Sequence, residues 1–292
     1  MADMQLRELT PEFGTEITGL DPAAALSDEG LQKQLQGLFD TRGVLVFRDL
    51  DIEMPEQANL VRMLIGLGPL AEGESITGRE TNDAFYVSNK ADGGGAPFGR
   101  LLFHSDMMWS EHTFQVLSLY ASMVEQPATP TIFVSCVDAW KTLPDDLRSK
   151  VEGLSAVQGH DEAGRAADDP NVLISTFTDL PTRTTPVALP HPRTGDTLLY
   201  VSEQMTQGID GLGEAESEEL LQELFAHLYR PESVYSHVWQ EHDLVAWDNI
   251  ATQHGRPNVT LEGPARTLRK VYAPVPPRGT NPKRPTYASA KQ

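Results

Sequence analysis

The stretch TFQVLSLYASMVEQPATPTIFVSCV, residues 113–137, decides the fold. Two apolar runs of strand length stand on either side of a short turn-forming segment. The same pattern recurs at DTLLYVS (196–202), HDLVAWDNI (242–250) and TLRKVYAPV (267–275), and VLVFRDL (44–50) reads as a further buried strand. These runs do not alternate regularly with helices. The pattern therefore predicts a mainly β fold with flanking helices, an antiparallel sandwich or jelly roll, and not a doubly wound α/β sheet.

Helical periodicity is confined to three segments. The first follows Ser27 as a cap, carries Leu31, Leu35, Leu38 and Phe39 on one face, and stops at Gly43. The second opens at Thr142 with Pro144 in its first turn and Leu143, Leu147, Val151 and Leu154 as its stripe. The third is SEELLQELFAHLY (217–229). All three read as packing elements. Residues 1–276 are expected to form one domain, with 277–292, rich in Pro, Lys and Arg, as a flexible C-terminal tail.

The chain of 292 residues carries a formal net charge of −19. That surface repels phosphate backbones, so nucleic acid is excluded as a partner. It also repels small anions at long range, so an anionic substrate would have to be captured by specific buried Arg or Lys residues. With one cysteine, Cys136, no intramolecular disulfide can form, which fits a reducing, cytoplasmic compartment. Cys136 lies in an apolar run and reads as a core residue. No signal peptide and no membrane-length apolar run is apparent. Residues 91–100 (glycine-rich) and 160–171 (small and polar) read as candidate lids.

FHSDMMW, residues 103–109, sets His104 and Asp106 two apart. On a strand that spacing points both side chains to one face, an imidazole beside a carboxylate, suited to a mid-first-row divalent metal. Far downstream, HDLVAWDNIATQH brings His254 just past another strand end. Two histidines and one carboxylate leave three coordination positions of an iron open. GPARTLRKVY then adds Arg266, Arg269 and Lys270, cations able to hold a carboxylate. The remaining histidines have no ligand spacing.

Taken in order, FHSD, TPTIFVS, HPRTGDTLLYV, WDNIATQH and ARTLRKV resemble the taurine dioxygenase and phenoxyacetate-herbicide dioxygenase family of Fe(II)- and 2-oxoglutarate-dependent oxygenases, over nearly the whole chain. The resemblance implies a double-stranded β-helix with His104, Asp106 and His254 as iron ligands. It implies Arg266 and Thr131 as partners of 2-oxoglutarate, and O2 as the other co-substrate. Where the family holds its substrate's anionic group with an arginine, this chain has Lys270, and Arg100 stands at a further substrate position. Met107 could line an apolar pocket, with Met108 and Trp109 beside it. The implied reaction is hydroxylation of an aliphatic carbon of a small, anionic molecule, yielding succinate and CO2. Desaturation or related tailoring on the same iron, a non-catalytic metal- and acid-binding jelly roll, and a zinc hydrolase are the alternatives. Family members commonly form dimers or tetramers, so a homo-oligomer is expected.

Overall fold

Strict period-two sorting of side chains builds the centre of the molecule. A computed structural model describes residues 4–77, 83–160, 169–177, 180–277, 280 and 285–289. In its largest sheet, β3 (Val44–Phe47), β6 (Val116–Val124) and β15 (Leu244–Asp248) lie side by side, with β15 antiparallel to both neighbours. Val44, Val46, Leu117, Leu119, Val245 and Trp247 face one core, while Leu45, Phe47, Val116, Leu244 and Ala246 face another. Both faces are apolar because both are covered, which is why these strands read as continuous hydrophobic runs. Each fully buried Val, Leu or Phe contributes roughly 1.5–3 kcal/mol to this arrangement.

The sheet is completed by β1 (Gln5–Glu8), β2 (Thr15–Thr18), β4 (Phe85–Ser88) and β17 (Arg266–Ala273), in the order β1-β2-β3-β15-β6-β17-β4. A second sheet, β14-β7-β16-β5, comprises Tyr235–His237, Thr131–Ser135, Thr252–Val259 and Gly99–His104. Phe133 of β7 joins Trp247 in the core between the sheets, their rings edge-on at 5.3 Å. Two facing sheets with mostly antiparallel pairing are the jelly roll expected from the strand pattern, in the double-stranded β-helix form that the resemblance implies. Smaller sheets flank it: β10-β8-β13 (Arg183–Pro186, Ser155–Gln158, Thr206–Ile209), β11-β12 (Ala188–Pro190, Thr197–Leu199) and β18-β9 (Thr286–Ser289, Leu173–Thr176).

Helices cover the outer faces. α1 (Pro22–Ser27), α2 (Glu29–Arg42) and α3 (Met54–Leu64) pack on the large sheet, and α4 (Cys136–Lys141), α5 (Asp145–Val151) and α6 (Glu214–Leu228) pack around the second. Several boundaries differ from the sequence expectation. Ser27 ends α1, and the cap of α2 is Asp28, whose carboxylate accepts the Leu31 N–H at 2.8 Å. Gly43 stops α2 as expected, at φ 69°. Thr142 closes α4, and α5 begins after Pro144, whose ψ of 144° is not helical. Cys136 is buried, but it opens a helix capped by Ser135 and does not continue the strand. The tail expected over 277–292 contains β18, because Thr286–Ser289 find pairing partners in β9.

Candidate metal centre

The far end of β5 and the start of β16 meet in register, His254 opposite His104, and their rings lie 4.2 Å apart. Asp106 arrives differently from expectation. β5 ends at His104, so Asp106 sits in the following turn and not on the same strand face. Met107, next in this turn, passes through φ 61°, a left-handed conformation costly for a methionine. Asn249 holds this turn: its Oδ1 accepts the Asp106 N–H at 2.9 Å, and its Nδ2 donates to the carbonyls of Asp106 (2.9 Å) and Phe114 (3.2 Å). The result is one ligand atom from each of His104, Asp106 and His254, all within 4.8 Å of one another.

The electrostatics suit a cation. His104 Nδ1 lies 2.8 Å from the Leu102 carbonyl; donation there leaves Nε2, 3.3 Å from Asp106 Oδ1, as the free lone pair. Burial pushes His254 well below the ordinary histidine range, so it is a neutral ligand. Burial would raise the Asp106 carboxyl, but the Lys270 ammonium beside it holds it well below the ordinary aspartate range. The Lys270 ammonium contacts Asp106 Oδ2 directly. Two neutral nitrogens and one carboxylate in a buried hollow are the donor set that iron(II) takes.

Across the same pocket stands Arg266, 3 % exposed, on β17. Its Nε donates to the Thr129 carbonyl (3.0 Å) and its Nη2 to Thr131 Oγ1 (2.8 Å), which also accepts from Trp239 Nε1 at 3.0 Å. Among the described residues no carboxylate pairs with this guanidinium, and burial, then nearby Arg256, pushes its pKa well below the arginine range. A buried, uncompensated cation is costly, and an anionic ligand offsets that cost.

Of the residues expected from sequence, His104, Asp106, Met107, Thr131, His254, Arg266 and Lys270 line one pocket. Trp109 lines it too, whereas Met108 is fully buried core. Arg100 does not line it; its guanidinium pairs with Asp169 at 2.8 Å, toward solvent. Arg269 points to the opposite face of β17, onto Gln57 (2.7 Å) and Tyr120. Of the two candidate lids, the first supplies Gly95 and Ala96 to the pocket wall; of the second, residues 161–168 lie outside the described residues.

Sequence reading missed Arg256, two residues past His254. It is buried, and donates to the carbonyls of Ala96, Phe98 and Gly99 at 2.8 Å each, pinning the glycine-rich loop. His191, set aside in the sequence, faces buried Asp248 together with Arg193, while Asp248 accepts the Ile250 and Ala251 N–H groups in the turn that leads to His254. Neither role has a spacing signature.

Asn249 gives the site its first test. Asn249→Ala frees the Asp106 turn without removing a ligand atom, and partners of metal ligands are worth about 10–100-fold in metal affinity. We expect a loss of that size in an anaerobic Fe(II) titration of the folded protein. Unchanged affinity would mean that the turn holds itself.

Comparison with known proteins agrees with this geometry. A family model described as "Taurine catabolism dioxygenase TauD, TfdA family" matches residues 5–272. The 2,4-dichlorophenoxyacetate dioxygenase, alpha-ketoglutarate-dependent, of Cupriavidus pinatubonensis is 27% identical over 262 residues, 84% of this chain and 89% of that protein. Pentalenolactone F synthase of Streptomyces avermitilis is 28% identical over 281 residues, 89% of this chain and 90% of its own. Among solved structures, AAD-2 in complex with Mn(II) and N-oxalylglycine superposes with a TM-score of 0.72 at 26% identity, covering 96% of this chain and 99% of that one.

Proposed function

The chain belongs to the taurine catabolism dioxygenase TauD, TfdA family, and from that premise we propose that His104, Asp106 and His254 bind its iron(II) while Arg266 and Thr131 bind 2-oxoglutarate. The protein is an Fe(II)- and 2-oxoglutarate-dependent dioxygenase, and O2 is its second co-substrate. The observation that carries the residue assignment is the pairing, in one pocket, of a buried His-Asp-His donor set with a buried guanidinium that has no carboxylate partner among the described residues. A zinc hydrolase has no use for that second feature, and a non-catalytic metal- and acid-binding protein, which would use it, forms no succinate.

When bound, the iron supplies the activation of O2, coupled to conversion of 2-oxoglutarate to succinate and CO2 and to hydroxylation of an aliphatic carbon. The chain's own residues do the positioning. Arg266, with the Thr131 hydroxyl beside it, would hold the distal carboxylate of 2-oxoglutarate. Lys270 keeps Asp106 ionised and aimed by holding Oδ2, which leaves Oδ1 beside His104 Nε2. Phe114 and Tyr272, stacked at 3.9 Å, line the pocket with Trp109 and exclude water from the reacting carbon.

The substrate is a small organic acid. One named relative acts on such a molecule, 2,4-dichlorophenoxyacetate. Lys270 is the cation beside the metal on the substrate side and would share its charge between Asp106 and the substrate's anionic group, as a point charge without arginine's fork. Desaturation or related tailoring would use the same residues, and the product distinguishes it. Among the described residues no helix is long and apolar enough to cross a membrane. A cytoplasmic setting is supported by a single, buried cysteine; a homo-oligomeric state follows the family, and the net charge of −19 argues against nucleic acid.

The test is an anaerobic titration of apo-protein with Fe(II) and 2-oxoglutarate, followed by succinate assay on admission of air. A weak visible charge-transfer band, and succinate above the protein-free control, are expected. A folded, iron-loaded protein that gives neither would overturn the reading.

A further inference from the structure

The edge of the second sheet does not end at β5. Arg100 of β5 forms a parallel bridge with Val172, its N–H donates to the Asn171 carbonyl at 2.7 Å, and its side chain pairs with Asp169. β9 follows at once, and β18, near the C-terminus, pairs antiparallel with β9. The β9–β18 ribbon thus extends the sheet outward from the strand that carries His104.

Alternation then fixes what each face of the ribbon does. On the outer face Val172 and Ile174 pack on Leu102. On the inner face Tyr287 stands opposite Ser175, with Pro285 two residues before it and Phe177 two residues after Ser175. All four line the pocket that holds the candidate metal ligands. His160 joins them from the end of β8, its ring edge-on to Phe177 at 4.6 Å and its Nε2 2.9 Å from the Ser175 carbonyl. The wall is rich in rings, and none of its residues belongs to the candidate ligand set. Tyr287 is the ring contributed by the C-terminal strand.

We propose that the C-terminal strand β18 is the substrate-selecting wall of this enzyme and that Tyr287 is a specificity-determining residue that packs against the apolar body of the substrate. The inference rests on the oxygenase reading above and goes beyond it by assigning selection to the end of the chain. Arg100, expected from sequence to touch substrate, acts instead as the anchor that sets the ribbon against β5.

The test uses full-length Tyr287→Ala, with Thr286→Ala, on the exposed side of the strand, as control. Two probes, 2,4-dichlorophenoxyacetate with a flat ring and taurine without one, are titrated into the anaerobic Fe(II)·2-oxoglutarate protein, and the shift of the charge-transfer band is followed. The unaltered protein should respond to the ring probe at lower concentration than to taurine. Tyr287→Ala should raise the half-saturating concentration of the ring probe about tenfold, the scale of one lost aromatic contact, and leave that of taurine in place. Thr286→Ala should change neither. An unchanged ring-probe response in Tyr287→Ala, or an unaltered protein that does not favour the ring probe, would overturn the proposal. Absence of the band before any probe is added would instead count against the oxygenase reading, so the two failures are distinguishable.

Discussion

Asp106→Ala is expected to lower 2-oxoglutarate turnover far beyond the effect of any other single change outside the two histidines. Partners of metal ligands are worth about 10–100-fold, and a ligand should exceed that range, so succinate formation should fall by more than about 100-fold. The change also strips Lys270 of its counter-ion in a largely buried place. Because Asp106 is held well below its ordinary value of 3.8, its pairing stabilises the fold above that pH, and the contribution is lost as pH falls through the lower folded value. The metal-free variant should therefore melt lower than the unaltered protein near neutral pH, and the gap should narrow in acid. Calorimetry of both metal-free proteins across pH, beside the succinate assay, separates the two effects. A variant that loses turnover with no pH-dependent gap would remove the ion pair from the account but keep the ligand.

This double burden on Asp106 shows where sequence reading stops. His104, Asp106 and His254 were legible because the donor types are few and their order along the chain is specific. The strands were legible because β3, β6 and β15 are covered on both faces and leave unbroken apolar runs. The turn that carries Asp106 was not, because period two treats His104 and Asp106 as strand neighbours and contains nothing about Asn249 holding the chain through φ 61° at Met107. Arg256 was missed and Arg100 misjudged for a related reason. An arginine's role is set by which carbonyls or carboxylates come within reach, and those belong to residues 96–99 and 169 in separate segments. β18 escaped because four residues of modest hydrophobicity form a strand only when β9 presents an open edge. The same blindness explains the caps. Ser27 and Asp28 are both good N-cap types, and only α1, ending between them, decides for Asp28.

Arg266→Met should have opposite consequences for binding and for folding. Truncating one partner of a buried, hydrogen-bonded charge pair costs about 2–5 kcal/mol, so the half-saturating 2-oxoglutarate concentration should rise roughly 30- to several-thousandfold. In the protein without co-substrate, however, the guanidinium is buried with no carboxylate partner among the described residues, and burial together with Arg256 lowers its pKa. Burying such an ion without a counter-charge costs on the order of several kcal/mol, a cost that its replacement by an apolar side chain of similar length escapes. Two hydrogen bonds are lost with it, to Thr129 and Thr131, but Thr131 keeps its bond from Trp239. The variant should thus melt at or above the unaltered protein when both are free of 2-oxoglutarate. Saturating 2-oxoglutarate should reverse the order, since a ligand at 100 times its Kd stabilises by about 2.7 kcal/mol and only the unaltered protein reaches that occupancy. Thermal melts of both proteins, each with Mn(II) in place of iron to prevent turnover and with and without 2-oxoglutarate, read the crossing directly. A variant that melts well below the unaltered protein in the absence of 2-oxoglutarate would make Arg266 a structural tie between β17 and the Thr129–Thr131 segment. A crossing would identify it as a cation held in strain for a carboxylate that arrives from outside.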